Sequence, residues 1–382
     1  MRIARRLQDL AQSDIRRMTR ECERVQGINL GQGICDLPTP QLVREGAIQA
    51  IRENRSTYSF AEGARELREA IARKLRRDNG IAADAATEIC VTVGASGAYA
   101  AAIHALLDPG DGILLLEPYY GYHLNAARVA GLVPEFLALQ PPDFKLDESA
   151  LARAITPRTR AIVVCTPSNP SGKMFTREEL LGLARVAEER DLLVITDEIY
   201  EYIRYDGREH ISPASLPALC ERTVSIMGLS KTFSITGWRL GYAVAPEPLT
   251  KAITLVNDLF YVCAPTPLQL GAAAGFDAPA SYFRELQSGY QRKREVMCGA
   301  LNDAGLTPIV PQGAYYVLAD CTSLGKATSR EAAMDVLERT RVASIPGSAF
   351  YRGETGEKLL RFCFAKEDDV LDEACRRLRA LR

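Results

Sequence analysis

The order of apolar runs along the chain is the feature that most restricts how it can fold. Between about residues 41 and 275, short runs rich in Val, Ile and Leu alternate with amphipathic helical segments. Five of these runs end, in order, at Val93, Glu117, Cys165, Glu198 and Met227. Strands that are apolar on both faces and separated by helices are typical of a parallel sheet covered on both sides. The sequence therefore predicts an α/β fold with a mainly parallel sheet sandwiched by helices.

The pattern changes after a long helical segment, "SYFRELQSGYQRKREVMCGALNDAG". The runs "GAYYVLAD", "VASIPG" and "KLLRFCFA" then predict strands of a smaller α+β unit, which the helix "EDDVLDEACRRLRALR" closes. The residues before Thr39 have no place in the main sheet. We therefore expect a large domain over residues 41–275, and a small domain made of residues 276–382 together with an N-terminal arm, residues 1–40.

Composition and charge exclude several classes of protein. The formal net charge of −1 gives no reason to expect nucleic acid or an anionic membrane as a partner. No apolar run is long enough to span a bilayer, and the basic N-terminal segment lacks the apolar core of a signal peptide. The ten cysteines are scattered without a CxxC pair, so they predict reduced thiols, no metal site and a cytoplasmic location.

A lysine and an arginine stand in an unusual setting in "GLSKTFSITGWRLGY", Gly228 to Tyr242. Lys231 follows an apolar run and is surrounded by small residues, where loss of solvation disfavours its ammonium form. Arg239 is a nearby cation that acts in the same direction. A lysine of lowered pKa is a nucleophile for aldehydes. Taken alone, however, one lysine in a loop is more often a surface residue.

A carboxylate and a phenol end another apolar run, in "DEIY", Asp197 to Tyr200. A carboxylate at such a position is costly unless it has a charged partner. Pyridoxal phosphate supplies one, because enzymes that use it pair a lysine Schiff base with an Asp at the pyridinium nitrogen. Tyr200 would then reach the phenolic oxygen. The alternatives are a helix cap for Asp197 and a packed ring for Tyr200.

Two turns add weaker indications. "PSNPSG", Pro167 to Gly172, is a common turn sequence, and the amide of Asn169 is able to hydrogen-bond both a ring oxygen and a substrate carboxylate. "VGASGAYA" follows the run that ends at Val93, and small residues that open a helix allow backbone N–H groups to approach a phosphate. Many strand–helix turns share this second pattern.

Together these motifs resemble the fold-type I aminotransferases that use pyridoxal phosphate. That family carries S-K-x-x-x-x-x-G-x-R-x-G, matched from Ser230 to Gly241, N-P-x-G, matched from Asn169, and D-x-x-Y, matched from Asp197. The resemblance extends from "GQGICDLPTP" to "LLRFCFA" and is greatest to the bacterial aspartate and aromatic aminotransferase subgroup. It implies the aspartate-aminotransferase-like fold and movement of the α-amino group of an L-amino acid to a 2-oxo acid.

The resemblance also implies a role for each matching residue. Lys231 would hold pyridoxal phosphate as an internal aldimine and move the proton between the substrate and the cofactor. Asp197 would keep the pyridine nitrogen protonated, and Tyr200 and Asn169 would hydrogen-bond the phenolic oxygen.

The phosphate would be held by Ala95, Ser96, Ser230 and Arg239. Tyr120 would stack on the ring, with Tyr119 as the alternative. Arg361 would bind the substrate α-carboxylate, with a backbone contact from Gly33. Tyr58 would reach the phosphate of the other subunit, which implies a homodimer.

Two departures from the family pattern concern the amino donor. The family's G-E-P-D-F is replaced by Gly33 to Leu37, "GICDL", which is more apolar near the substrate. Ser96 stands where related enzymes with acidic substrates place a lysine. We therefore expect neutral or aromatic amino acids to be preferred over aspartate.

Two other functions remain open at this stage. A pyridoxal-phosphate-dependent C–S β-lyase needs the same lysine, aspartate and arginines, and would be distinguished by its products, ammonia and pyruvate. An aminotransferase-like domain of a transcription regulator would follow a basic winged-helix module. The family resemblance begins too near the N-terminus to leave room for that module.

Overall fold

The computed structural model describes residues 14–382, together with Ala4 and Leu7, so most of the predicted arm before residue 14 lies outside the described residues. The helices are α1 Asp14–Arg24, α2 Gln41–Arg52, α3 Arg65–Lys74, α4 Gly94–Leu106, α5 Gly121–Val129, α6 Glu148–Ala154, α7 Arg177–Glu189, α8 Leu229–Thr232, α9 Glu247–Tyr261, α10 Thr266–Gly275, α11 Ala280–Asp303, α12 Ser329–Thr340 and α13 Asp368–Leu378. The strands are β1 Ile28–Asn29, β2 Ile89–Val93, β3 Gly112–Glu117, β4 Val133–Ala138, β5 Thr159–Cys165, β6 Leu193–Asp197, β7 Thr223–Gly228, β8 Leu240–Val244, β9 Thr307–Ile309, β10 Tyr316–Asp320, β11 Val342–Ala343, β12 Ile345–Pro346 and β13 Leu359–Cys363.

The main sheet has seven strands in the order β2-β8-β7-β6-β5-β3-β4. The neighbours from β7 to β4 run parallel, as the sequence predicts for β3, β5, β6 and β7, whereas the run that forms β4 was missed. β8 was not among the predicted strands and is antiparallel to both of its neighbours. The connection from Gly228 to Leu240 is shorter than the crossover of about a dozen residues or more that a parallel return requires.

Both faces of this sheet are buried. In β3, Ile113 and Leu115 pack in a cluster with α4 and α9, whereas Leu114 and Leu116 pack on the opposite face with α7. Consecutive strand residues point to opposite faces, so an unbroken apolar run requires helices on both sides. The predicted capping box that begins α7 is present, with Thr176 and Glu179 each bonding the other's backbone N–H. The prediction of an α/β fold with a mainly parallel sheet between helices is confirmed.

A second, four-stranded antiparallel sheet has the order β12-β13-β10-β9. The N-terminal part of the chain packs beside this sheet. Ile28 of β1 pairs with Val342 of β11 in a separate two-stranded parallel sheet, and α1 contacts β11 and β12. The division into domains at residues 41–275 and 276–382 stays a prediction. Within the described part of the chain, no helix has the length and apolar character of a membrane span.

Candidate active site

One cavity of about 260 Å³ lies at the carboxyl ends of the main-sheet strands. Ligands of open α/β sheets bind at this edge. The cavity brings together eleven of the twelve residues that the sequence singles out. These are Gly33, Ala95, Ser96, Tyr120, Asn169, Asp197, Tyr200, Ser230, Lys231, Arg239 and Arg361. The twelfth, Tyr58, does not line it.

Lys231 lies on the short helix α8, directly after β7, and its amine points into the cavity. Burial lowers the pKa of Lys231 to about 8, and the positive charge of Arg239 acts in the same direction. The Nζ atom donates a hydrogen bond of 3.1 Å to the carbonyl of Gly33 and lies 5.4 Å from the centre of the Tyr315 ring. This amine is therefore uncharged near neutral pH far more often than an ordinary lysine, although the ammonium form still predominates, and its partner is a neutral carbonyl.

Asp197 ends β6 and has a partner that the sequence analysis missed. The Nε2 atom of His123 lies 3.0 Å from Asp197 Oδ2, and both side chains are almost fully buried. His123 lies on α5, one helical turn after Tyr120, so both face the cavity. The three-residue spacing from Tyr120 was the sequence signal that could have identified His123. The distance from His123 to Asp197, however, depends on the order of β3 and β6 in the sheet. The contact orients the carboxylate toward the cavity.

Tyr200 belongs to a cluster of tyrosines that was also missed. Its hydroxyl donates to the Tyr316 hydroxyl at 3.2 Å, and the Tyr315 hydroxyl donates to the Gly33 carbonyl at 3.0 Å. Burial raises the pKa of Tyr200 well above its usual value. The phenol therefore stays protonated, and its one proton is donated to Tyr316. A Cβ atom at Gly33 would lie 1.7 Å from the Tyr316 hydroxyl, so only glycine fits there.

Arg361 is a fully buried cation at the side of the cavity. Its guanidinium lies 4.2 Å from the ring centre of Tyr316 and 4.8 Å from that of Phe350. It donates to Asn169 Oδ1 at 2.8 Å and to the Gly31 carbonyl at 2.5 Å. Its Nε atom has no partner, and no carboxylate of residues 14–382 pairs with it. A buried cation without a counter-charge is costly, so this site is suited to an anionic ligand.

An anion-binding turn lies on the opposite side of the cavity, where α4 begins. Gly94 has φ of +73°, and a Cβ atom there would lie 2.5 Å from Arg239 Nη2. Arg239 donates to the Ser96 hydroxyl at 3.1 Å. The first N–H groups of a helix lack partners within the helix and favour an anion. Together with Ser230, which also lines the cavity, these donors fit a phosphate group.

The aromatic residues of "EPYYGYH" separate into two positions. Tyr120 lines the main cavity and stacks on Tyr122 with 5.2 Å between ring centres. Tyr119 instead packs against Phe136 and lines a small neighbouring cavity. The position of Tyr120 suits a ring bound between the phosphate turn and Asp197. Tyr58 is 81% exposed on a surface loop.

The fold and the cavity define a class of protein. It is an α/β enzyme whose site combines a lysine of lowered pKa, a buried carboxylate, an anion-binding turn and an unpaired buried arginine. The turn at Gly94 with Arg239 and Ser96 fits the phosphate of pyridoxal phosphate, and Asp197 and Lys231 fit its ring. Arg361 fits the carboxylate of an amino acid.

Residues 25–378 match the family described as aminotransferase class I and II, and the chain belongs to this family. Members of the family use pyridoxal phosphate, and this protein is a pyridoxal-phosphate-dependent aminotransferase.

Several relatives are similar over almost their whole length. The probable N-succinyldiaminopimelate aminotransferase of Mycobacterium tuberculosis is 35% identical over 98% of both chains. The solved structure of the N-succinyldiaminopimelate aminotransferase from that organism has a TM-score of 0.96 and covers all of both chains. The methionine aminotransferase of Escherichia coli is 33% identical, over 98% of this chain and 97% of its own.

Proposed function

We propose that this aminotransferase moves the α-amino group of a neutral or aromatic L-amino acid to a 2-oxo acid, with Lys231 as the residue that binds the cofactor covalently. The observation that carries the proposal is the pairing, within one cavity, of a lysine whose pKa is about 8 with a buried arginine that lacks a counter-charge. The first is suited to amine chemistry on an aldehyde, and the second to an amino acid carboxylate.

Each residue of the cavity then has a task. Pyridoxal phosphate, when bound, supplies a ring that accepts the electron pair left on the substrate α-carbon. Lys231 removes and returns the proton at that carbon, because its uncharged amine is a base near neutral pH. Asp197, oriented by His123, holds the proton on the ring nitrogen. With the ring bound, the Tyr200 hydroxyl would donate to the ring oxygen instead of to Tyr316. Asn169 Nδ2 would donate to the same oxygen, which leaves Asn169 Oδ1 for Arg361.

The substrate carboxylate binds at Arg361, and the donor side chain then extends toward the mouth of the cavity. Neutral residues line this region, including Ile15 from α1, Ile34 and Tyr122. Among the described residues that line the cavity, the cations are Lys231, Arg239 and Arg361, and each already has a partner group in the proposal. A second carboxylate on the donor would therefore be left unpaired.

Comparison of kcat/KM across donors with one fixed 2-oxo acid tests this preference. We expect tyrosine, phenylalanine, leucine and methionine to exceed aspartate by about 10²-fold, because an unpaired buried carboxylate costs several kcal/mol. N-succinyldiaminopimelate belongs in the panel, since one relative is named for it. Ser96→Lys should raise activity with aspartate relative to Ser96→Ala. Higher activity with aspartate than with every neutral donor would contradict the proposal.

The same samples distinguish transfer from β-elimination. Incubation with a cysteine conjugate in the absence of any 2-oxo acid measures ammonia and pyruvate directly. We expect amino transfer that depends on the oxo acid, whereas rapid release of both products without it would favour the C–S lyase.

We also propose a homodimer. The loop that carries Tyr58 also exposes Phe60, and it is bonded to α9 through Asn257, whose amide donates to the Ala61 carbonyl. The end of α9, which follows Asn257, exposes Leu259 and Phe260. Such an apolar surface on a protein of this size is typical of an interface, and a second copy would receive Tyr58.

All ten cysteines are free, which supports a cytoplasmic location.

A further inference from the structure

The segment after β6 has side chains in two different environments. Asp197 and Tyr200 line the cavity, whereas Glu198 and Glu201 do not line it and are 0% and 5% exposed. Each buried carboxylate directly follows, in the chain, a residue that faces the cavity. Burying two carboxylates so close together is costly unless each has its own partner.

The partner of Glu201 is a fully buried lysine. Lys74 Nζ forms an ion pair with Glu201 Oε2 and donates to Asn79 Oδ1 at 2.7 Å, and Asn79 Nδ2 donates to the same Glu201 oxygen at 2.8 Å. Lys74 is the last residue of α3, where the helix widens into a π-helical turn, Leu75–Asn79. This turn directs both donors at one carboxylate.

The partners of Glu198 come from its own strand and from a following loop. The Thr196 hydroxyl donates to Glu198 Oε1 at 2.5 Å, and His210 Nε2 lies 2.7 Å from Glu198 Oε2. Burial by itself would raise the pKa of Glu198, but these hydrogen bonds outweigh it and hold the pKa below its usual value. The buried Nδ1 atom of His210 has no partner, so Nε2 is the ring atom through which His210 contacts Glu198.

We propose that Lys74 and His210 are positioning residues, which hold Asp197 and Tyr200 in place through Glu201 and Glu198. The inference rests on the proposed function, because it takes Asp197 and Tyr200 as groups that contact the cofactor. Adjacent residues share a peptide plane, so a displacement of either glutamate turns the residue before it. A displacement of about 1 Å at a reacting group costs on the order of 10²-fold in rate.

The first test removes the Lys74 pair as a whole. Lys74→Met alone leaves Glu201 buried and unpaired and is liable to unfold the protein, whereas the double variant Lys74→Met with Glu201→Met leaves no buried charge. Lys293→Met is the matched control, because Lys293 is also a buried lysine, paired with Asp368 away from the cavity. All measurements are made well below the unfolding temperature of each variant.

Two measurements report on the segment after β6, which carries Asp197 and Tyr200, rather than on the overall stability of the protein. Amide deuterium uptake of peptides over residues 196–203 in the cofactor-free protein should rise in the double variant and stay unchanged in Lys293→Met. In the reconstituted enzyme, the Kd for pyridoxal phosphate should rise and kcat should fall, up to about 10²-fold. KM for the amino acid should change little, because Arg361 and not this segment binds its carboxylate.

The second test uses a conservative replacement. His210→Leu removes the donor to Glu198, whereas His210→Gln keeps an amide N–H at a similar reach. We expect His210→Leu to raise uptake in the same peptides and lower kcat, and His210→Gln to restore both. Equal loss in the two variants, or no loss in either, would contradict a role for the hydrogen bond from His210 to Glu198.

Failure of this inference is distinguishable from failure of the proposed function. Wild-type uptake, cofactor affinity and kcat in the double variant would overturn the positioning role while leaving transamination intact. If the wild-type protein bound pyridoxal phosphate but transferred no amino group, the proposed function would fail, and uptake and affinity would still decide whether the segment is held by these pairs.

Discussion

Single residues in this site owe their chemistry to burial. Lys231 loses solvation in the cavity wall, so its amine sheds its proton at a pH about 2.5 units below the usual value of 10.5, as the pKa of about 8 requires. Arg361 cannot lose its proton and keeps its charge, held by aromatic rings and by neutral oxygen atoms. The same loss of solvation therefore makes one residue a base and the other a binding site for an anion.

The lowered pKa of Lys231 predicts how stability depends on pH in the cofactor-free protein. Between pH 8 and pH 10.5 the unfolded chain keeps the proton that the folded chain has lost. The free energy of unfolding therefore rises with pH across this window, by about 1.4 kcal/mol per unit from this group. Urea unfolding of wild type and Lys231→Met at several pH values isolates the effect as their difference. A difference that stays constant with pH would show an ordinary lysine.

Arg361→Lys should raise KM for every amino acid, whatever its side chain. A lysine offers a point charge and loses the two parallel donors that match a carboxylate. The loss of one charged hydrogen bond, about 1.5–3 kcal/mol, corresponds to about 10- to 10²-fold. The measurement is KM for four or five donors, with Arg185→Lys as a surface control. An effect on one donor only would place Arg361 in the side-chain pocket instead.

At the scale of an element, the start of α4 shows how backbone conformation builds a binding site. The chain turns from β2 into the helix at Gly94, which has positive φ, and this turn brings the first N–H groups of α4 next to Arg239. Gly241 of β8 packs against the same turn, since a Cβ atom there would lie 2.4 Å from the backbone N of Ala95. The proposed phosphate site is thus built where β2, β8 and the start of α4 meet, together with Ser230 of α8.

Gly94→Ala should weaken binding of pyridoxal phosphate. The added methyl group would lie 2.5 Å from Arg239 Nη2, and alanine is also strained at the positive φ of this position. Gly207→Ala is the matched control, because Gly207 has φ of +69° and nothing within 4 Å of its Cβ position. Both variants should lose about 1 kcal/mol of stability from backbone strain. Only Gly94→Ala should raise the Kd for the cofactor, measured by fluorescence titration.

At the scale of the whole molecule, the exposed apolar residues at the end of α9 and the exposed loop that carries Tyr58 both support a homodimer. The loop that carries Tyr58 is bonded to the buried side chain of Gln269 on α10. The Gln269 amide accepts a hydrogen bond from Ala64 N and donates one to the Ser59 hydroxyl. The loop is therefore anchored by buried hydrogen bonds, whereas the rings of Tyr58 and Phe60 are exposed. An anchored loop with exposed rings is suited to reach into a second copy.

Leu259→Glu should convert the dimer to a monomer. Leu259 is 82% exposed, so its replacement leaves the single chain folded but buries a charge in the proposed interface. Sedimentation velocity measures the change, and loss of bound cofactor should accompany it because Tyr58 no longer reaches the other site. Leu181→Glu on α7, also an exposed leucine, should leave the dimer intact. A monomeric wild-type protein would contradict the proposal.

The sequence alone determined the positions of four of the five parallel strands, β3, β5, β6 and β7, and the residues at their ends, but it missed β4. Apolar runs and helical periods report the direction of neighbouring side chains, which is local information. The spacing of the lysine block, "NPSG" and "DEIY" was specific enough to indicate the family, and the family was confirmed.

Only the tertiary structure decided which distant residues meet. The contact of His123 with Asp197, the hydroxyl of Tyr316 against Tyr200, and the ion pair of Lys74 with Glu201 join parts of the chain that are far apart in sequence. Their distances depend on strand order and on the antiparallel return of β8, which periodicity does not encode. The physical reason is that local patterns set which way a side chain points, whereas sheet order and packing set what it meets.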